Sequence, residues 1–241
     1  MADYQQIMSP IHSNLQHVRA RINAVIAALP TEQQAPVTLV AVSKAKSAGD
    51  VRKAFESGQR AFGENYVQEA IAKIEELGDL QSHGISWHFL GPLQSNKLKL
   101  IATHFDWVHG IDRLKIATSL SRQRSEHLAD RDALNVCVQV NVSGEASKGG
   151  VGPDDALALA TQVSLLPALR LRGLMTIIAD TPDEATQRAQ FRKLRTLFES
   201  LCQHGLNVDT LSMGMSQDYP AAIAEGATMV RIGSAIFGAR G

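Results

Sequence analysis

The sequence has two cysteines, Cys137 and Cys202, and no CxxC pair. That argues against a disulfide framework and against a thiolate metal site. It also lacks an excess of charge: 24 Lys and Arg face 24 Asp and Glu, a formal net charge of zero. Nucleic acid and anionic membrane surfaces attract basic patches, so neither is favoured as a partner. No apolar run approaches the length of a membrane span. Met1 to Pro10 shows no basic segment followed by an apolar stretch, so no signal peptide is read there. The expectation is a cytoplasmic protein. Nothing marks a linker, a low-complexity tract or an internal repeat. Residues 1–241 therefore read as one domain, and 44% hydrophobic residues are enough for a large core.

What is present is alternation. The first thirty residues read as a helix, with Ile7, Ile11, Leu15, Val18, Ile22, Val25, Ile26 and Leu29 at helical spacing and Pro30 as the stop. Strands are expected at 37–42, 60–63, 86–90, 106–109, 135–142, 171–178, 210–213 and 228–232. Helices fill the intervals, at 50–57, 67–77, 95–102, 111–128, 154–166, 183–204 and 219–225, with Asp112 as an expected N-cap. Strands joined by helical crossovers run parallel. The α/β pattern fits a single (β/α)8 TIM barrel with an extra N-terminal helix. A doubly wound open sheet is the alternative. Few residues follow the eighth strand, so its helix is short and the N-terminal helix is expected to cover the gap.

Barrels of this kind keep their chemistry at the carboxyl ends of the strands. Lys44 ends the first strand, a run with no ordinary use for an ammonium group. Inside an apolar frame a lysine loses its proton more easily, and a neutral amine attacks aldehydes. The alternative is a strand-end lysine that snorkels to water. Lys46, two residues on, shares its direction if the strand persists, and would depress the Lys44 pKa.

The loops after strands seven and eight commonly hold phosphate. Ser212 and Ser216 offer hydroxyls, and Gly214 and Gly233 allow close backbone approach. Ser234 opens a short helix at 234–237 whose amides can meet an anion. An imine-forming lysine opposite a phosphate site suits pyridoxal 5′-phosphate (PLP). Arg231 is placed to meet the pyridine nitrogen, and its alternative is a rim ion pair. Asn65 and Met175, at the ends of strands two and six, join Lys44, Ser212, Ser216, Arg231, Gly233 and Ser234 as candidate cofactor-binding residues. Met213 and Met215 can pack on a ring. Lys148 lies in a glycine-flanked loop that reads as mobile, either solvated or meeting phosphate or a partner. His88, between Trp87 and Phe89, reads as a hydrogen-bonded core residue. Glu64 and Glu69 read as helix-start carboxylates near the positive end of a dipole.

Five blocks carry a resemblance to a known family. They are Ala41-Val42-Ser43-Lys44, the run from Phe62-Gly63-Glu64-Asn65 to Glu69, the run from Trp87-His88-Phe89 to Lys97, Leu211-Ser212-Met213-Gly214-Met215-Ser216, and the run from Val230-Arg231-Ile232-Gly233-Ser234 to Gly238. Together they resemble the pyridoxal phosphate homeostasis protein family, over almost the whole chain and in order. The resemblance implies a PLP-binding barrel similar to the N-terminal domain of alanine racemase. It implies that Lys44 forms the Schiff base and that Arg231 stands at the ring nitrogen. Ser212, Ser216, Gly233 and Ser234 fall in the phosphate-binding segments, and Lys148 matches a lysine of the strand-five loop. The sequence departs from the family at Ser47, at Thr176-Ile177-Ile178 and at Gln217-Asp218-Tyr219-Pro220, positions that shape loops around the site.

A racemase of this fold needs a second domain that supplies a tyrosine. The chain stops at Gly241, and its tyrosines are Tyr4, Tyr66 and Tyr219. The expectation is a PLP carrier or regulator without robust catalysis, monomeric, with PLP-dependent apo-enzymes as recipients. A weakly active PLP enzyme such as a racemase is the second reading. A cofactor-free Schiff-base aldolase acting on a phosphorylated substrate is the third.

Overall fold

The computed structural model describes residues 9–127, 131–145 and 147–238. Eight parallel strands close into one barrel in chain order, β1 to β8. They are β1 Thr38–Val42, β2 Ala61–Glu64, β3 Ser86–Phe89, β4 Trp107–Ile111, β5 Leu134–Gln139, β6 Leu169–Met175, β7 Thr210–Ser212 and β8 Met229–Ile232. The helices are α1 Pro10–Ala27, α2 Ala48–Glu56, α3 Val67–Glu76, α4 Leu98–His104, α5 Leu114–Ser125, α6 Pro153–Ser164, α7 Glu184–Gln203, α8 Tyr219–Ala224 and α9 Ser234–Phe237. The seam closes where Ala41 of β1 pairs with Phe62 on one side and Ile232 on the other.

Strand alternation sorts the side chains into two cores. Leu39, Ala41, Phe62, Trp87, Phe89, Val108, Leu211, Val230 and Ile232 face the helices and join the large outer core. Val40, Ala61 and Met229 face inward as a small second cluster, with Trp107 packed on it. Two residues further along β4 and β8 the interior turns polar. Arg231 follows Met229 and His109 follows Trp107, and both are buried. The barrel is thus plugged by apolar side chains below a polar layer that faces the carboxyl ends.

α1 starts where Ser9 caps it, accepting from His12 N at 3.3 Å, with Pro10 in the first turn. Ile11, Leu15, Val18 and Ile22 recur at intervals of four, three and four, and all are buried. That face packs against α2, α8 and α9. Asn14 Nδ2 donates to Ile236 O at 2.9 Å, tying α1 to the last short helix. α1 covers the gap as expected, while Ile7 lies outside the described residues.

Several boundaries move. Asp112 is not an N-cap: Arg113 holds that position without a side-chain cap, and the Asp112 carboxylate pairs with Arg113 at 2.8 Å. α5 ends at Ser125, and Leu128 lies outside the described residues. β5 stops at Gln139 rather than continuing to Val142: Val140 still donates to Met175 O of β6 at 2.9 Å, but it pairs on its other side in an isolated bridge with Val151. The loop that carries Lys148 is closed by that bridge and by Asn141. Asn141 Nδ2 donates to Glu145 O at 2.9 Å and to Lys148 O at 3.2 Å. Gln139 Nε2 donates to Gly149 O at 2.9 Å. No helix among the described residues is long and apolar enough to cross a membrane.

Candidate functional site

At the carboxyl ends of β1 and β8 a cleft of about 200 Å³ opens. Lys44, Lys46, Ser216, Arg231, Gly233 and Ser234 line it. Five of the eight residues expected to bind the cofactor therefore share one wall-to-wall space. Lys44 is not part of β1, which ends at Val42; it stands in the turn beyond, and Ala45 there has φ 58°. Lys46 consequently reaches the cleft through the turn and not by strand alternation. A second cavity of about 470 Å³ adjoins the first through Met215, Ser216 and Ser234. Lys148 and Asp180 stand on its wall.

Local geometry explains the glycines and serines. Gly214 has φ +94°, and a Cβ there would stand 2.6 Å from Ala222 Cβ. A Cβ on Gly233 would stand 2.9 Å from Val42 O, so the β8 turn lies flat on the end of β1. The hydroxyls of Ser216 and Ser234 converge to 3.5 Å. Asp218 steadies the β7 loop by accepting from Met215 N at 2.5 Å, and burial pushes its carboxyl pKa up.

Arg231 is 5% exposed. Its guanidinium donates to Ser212 Oγ and to Thr176 O, both at 2.8 Å. The remaining donors of its five have no protein partner among the described residues, and Arg231 forms part of the cleft wall. Burial lowers its pKa to about 10, so it stays protonated at neutral pH. Ser212 thus sits one step behind the cleft. Met175 is buried at the end of β6, in register with Ser212. Asn65 follows β2 half-buried, and its carbonyl occupies the place of a Gly91 side chain. Neither Met175, Ser212 nor Asn65 lines the cleft.

Behind Arg231 a buried chain crosses the barrel. His109 Nδ1 meets Ser212 Oγ at 2.8 Å, His88 Nδ1 meets His109 Nε2 at 3.0 Å, and His88 Nε2 meets Ser86 Oγ at 3.2 Å. Arginine only donates, so Ser212 accepts from Arg231, and its hydroxyl also bonds His109 Nδ1. Between the two neutral rings one nitrogen donates and the other accepts. Burial holds both rings neutral: it lowers the His88 pKa to about 3 and that of His109 well below the usual value. His88 is the hydrogen-bonded core residue that its neighbours suggest.

Glu69 lies in the first turn of α3, as expected, whereas Glu64 is the last residue of β2 and not part of that helix. Glu64 is fully buried on β2, and both carboxylates pair with Lys73 of α3. Sequence reading passes over Lys73. The only trace of it is the Glu69–Lys73 spacing of four on one helix, which normally marks a solvated pair.

A family model described as alanine racemase, N-terminal domain, matches residues 13–241. The pyridoxal phosphate homeostasis protein of Pseudomonas aeruginosa is 55% identical over 97% of both chains. That of Escherichia coli is 48% identical over 97% of this chain and 98% of its own. PipY of Synechococcus elongatus has been solved without PLP (TM-score 0.82, 41% identity) and with PLP bound (TM-score 0.80, 39% identity), each match covering 94% of this chain and 99% of PipY. The chain belongs to the alanine racemase N-terminal domain family and, within it, to the pyridoxal phosphate homeostasis proteins.

Proposed function

We propose that this protein holds PLP as a Schiff base on Lys44 and serves to keep that cofactor available. The observation that carries the reading is the cleft that joins Lys44 to a buried arginine with undirected donors and to two hydroxyls over a close-packed glycine. When bound, PLP supplies an electrophilic aldehyde and a pyridine ring that delocalises negative charge. Lys44, in its neutral form, would hold the cofactor through Nζ, condensing with that aldehyde with loss of one water. Ser216, Ser234 and the Gly233 backbone take the phosphate. Arg231 meets the ring nitrogen as a donor and, with a pKa of about 10, keeps it unprotonated. Ser212 acts through Arg231, while Asn65 and Met175 complete the set from the ends of β2 and β6.

An unprotonated ring is a weak electron sink, which favours holding over turnover. Neither described tyrosine, Tyr66 nor Tyr219, lines the cleft. PLP-dependent apo-enzymes are the recipients in this reading, and the protein acts as a monomer. The adjoining cavity of about 470 Å³ favours a second reading, a weakly active PLP enzyme such as a racemase, because it has room for an amino acid.

Absorption spectroscopy combined with mass spectrometry of the borohydride-reduced protein tests the proposal. Protein loaded with PLP should be yellow, bleach on reduction and carry the adduct on the Lys44 peptide, whereas Lys44→Ala should stay colourless. A protein that added PLP leaves colourless and unlabelled, or an adduct on another lysine, overturns it. Loss of optical purity of an added amino acid at a useful rate would move the assignment to the second reading.

A further inference from the structure

The turn that carries Lys44 is closed by a bond from Lys46 N to Ser43 O at 3.1 Å, and before it Ser43 N donates to Gly63 O of β2 at 2.9 Å. β1 has ended at Val42, and Ala45 adopts a left-handed conformation that residues with a Cβ seldom take. The peptide groups on either side of Lys44 also have side-chain partners. Before it, the Ser43 carbonyl accepts from Lys73 Nζ at 2.7 Å. After it, the Ala45 N–H donates to Glu69 Oε1 at 2.6 Å. The Ser43 hydroxyl donates to Glu64 Oε1 at 2.7 Å.

Those three side chains are one unit. Lys73, 6% exposed, also donates to Glu64 Oε1 at 2.8 Å and to Glu69 Oε1 at 2.6 Å. With the Ser43 carbonyl, this makes three acceptors for an ammonium group that has three N–H donors. Lys73 is saturated, so its own amine is not a second imine former. Glu64 is less well served: its Oε2 is buried with no hydrogen-bond partner among the described residues, and burial pushes its carboxyl pKa up. A bare buried acceptor lowers stability, and a buried ion pair seldom improves on an apolar pair of the same volume. Stability therefore does not account for the cluster, whereas geometry does. It grips both peptide groups flanking one residue, and that residue lines the cleft.

We infer that Glu64, Glu69 and Lys73 are positioning residues that hold the Lys44 turn and so set where its amine meets an aldehyde. The aldehyde half of this inference rests on the PLP reading above, and the turn-holding half does not. Glu69→Ala removes the acceptor of Ala45. Glu69→Gln keeps an oxygen there. The double variant Glu64→Leu with Lys73→Met replaces the buried charges by apolar groups and leaves no unpaired ion in the core.

Two measurements decide it. The first is hydrogen exchange at the Ala45 amide in protein free of cofactor. The second is the Schiff-base equilibrium with PLP, read by absorbance, set against affinity for pyridoxamine 5′-phosphate, which has the ring and phosphate but no aldehyde. In Glu69→Ala and in the double variant, exchange should rise by about tenfold and the Schiff-base constant should fall by about tenfold. Pyridoxamine 5′-phosphate affinity should hold within about twofold, and Glu69→Gln should behave like the parent protein. Unchanged exchange, or parallel losses of Schiff base and pyridoxamine 5′-phosphate affinity, overturns the inference. If the parent protein forms no adduct on Lys44, the PLP reading fails by itself, and the exchange rates still decide whether the turn is held this way.

Discussion

At the scale of the residue, Gly233 sets how closely the β8 turn approaches β1. A Cβ there would stand 2.9 Å from a backbone oxygen of Val42, which has no flexible end to move aside. Gly233→Ala should therefore push the turn off β1, lowering PLP affinity by about tenfold and stability by about 1–3 kcal/mol. Cofactor titration and urea unfolding measure the two; affinity equal to the parent's would show that the close approach does not matter to the ligand. Glycine and serine at the ends of two late strands are legible in a sequence because few other residue types suit such turns. The grip on Lys44 is not. Lys73 sits in a helix whose polar positions all look solvated, and its partner Ser43 lies 30 residues away in sequence. Only closure of β1 beside β2 brings α3 over the turn.

At the scale of the element, four strands share one hydrogen-bonded chain: β3 gives His88, β4 His109, β7 Ser212 and β8 Arg231. Its histidines are neutral in the folded barrel, whereas in an unfolded chain they protonate near the usual pH of about 6.5. The folded His88 pKa is about 3 and that of His109 is also well depressed. Between those values the unfolded chain binds more protons, so this contribution is complete above pH 6.5 and lost as pH falls towards 3. The slope is about 1.4 kcal/mol per pH unit for each histidine. Urea melts at a series of pH values below 6.5 should show a steep loss of stability, and His109→Gln should roughly halve the slope. An unaltered slope would assign the acid limit to other groups. Element order and type can be read from alternating apolar runs and turn residues, and the structure keeps that order. The register shifts between β4 and β5 and between β5 and β6 leave no such trace, because a bulge changes pairing without changing the pattern of apolar residues.

At the scale of the whole molecule, closure depends on a helix that precedes the barrel. α1 packs on α2, α8 and α9, and Leu15 on its inner face is fully buried. Leu15→Ala should cost about 2–5 kcal/mol in urea unfolding, since the elements packed around a fully buried leucine collapse only partly into the space left. A cost below that of a surface substitution would mean that α1 is an appendage. An unaccompanied helix at the start of an alternating pattern made its covering role readable, but the bond from Asn14 to Ile236 was not, because it joins the two ends of the chain. The seat of Lys44 also spans the molecule, drawing on β1, β2 and α3 together. Grafting Val42 to Lys46 alone into another barrel would transplant a nucleophile without an address, and a designer would have to move three neighbouring elements to keep its aim.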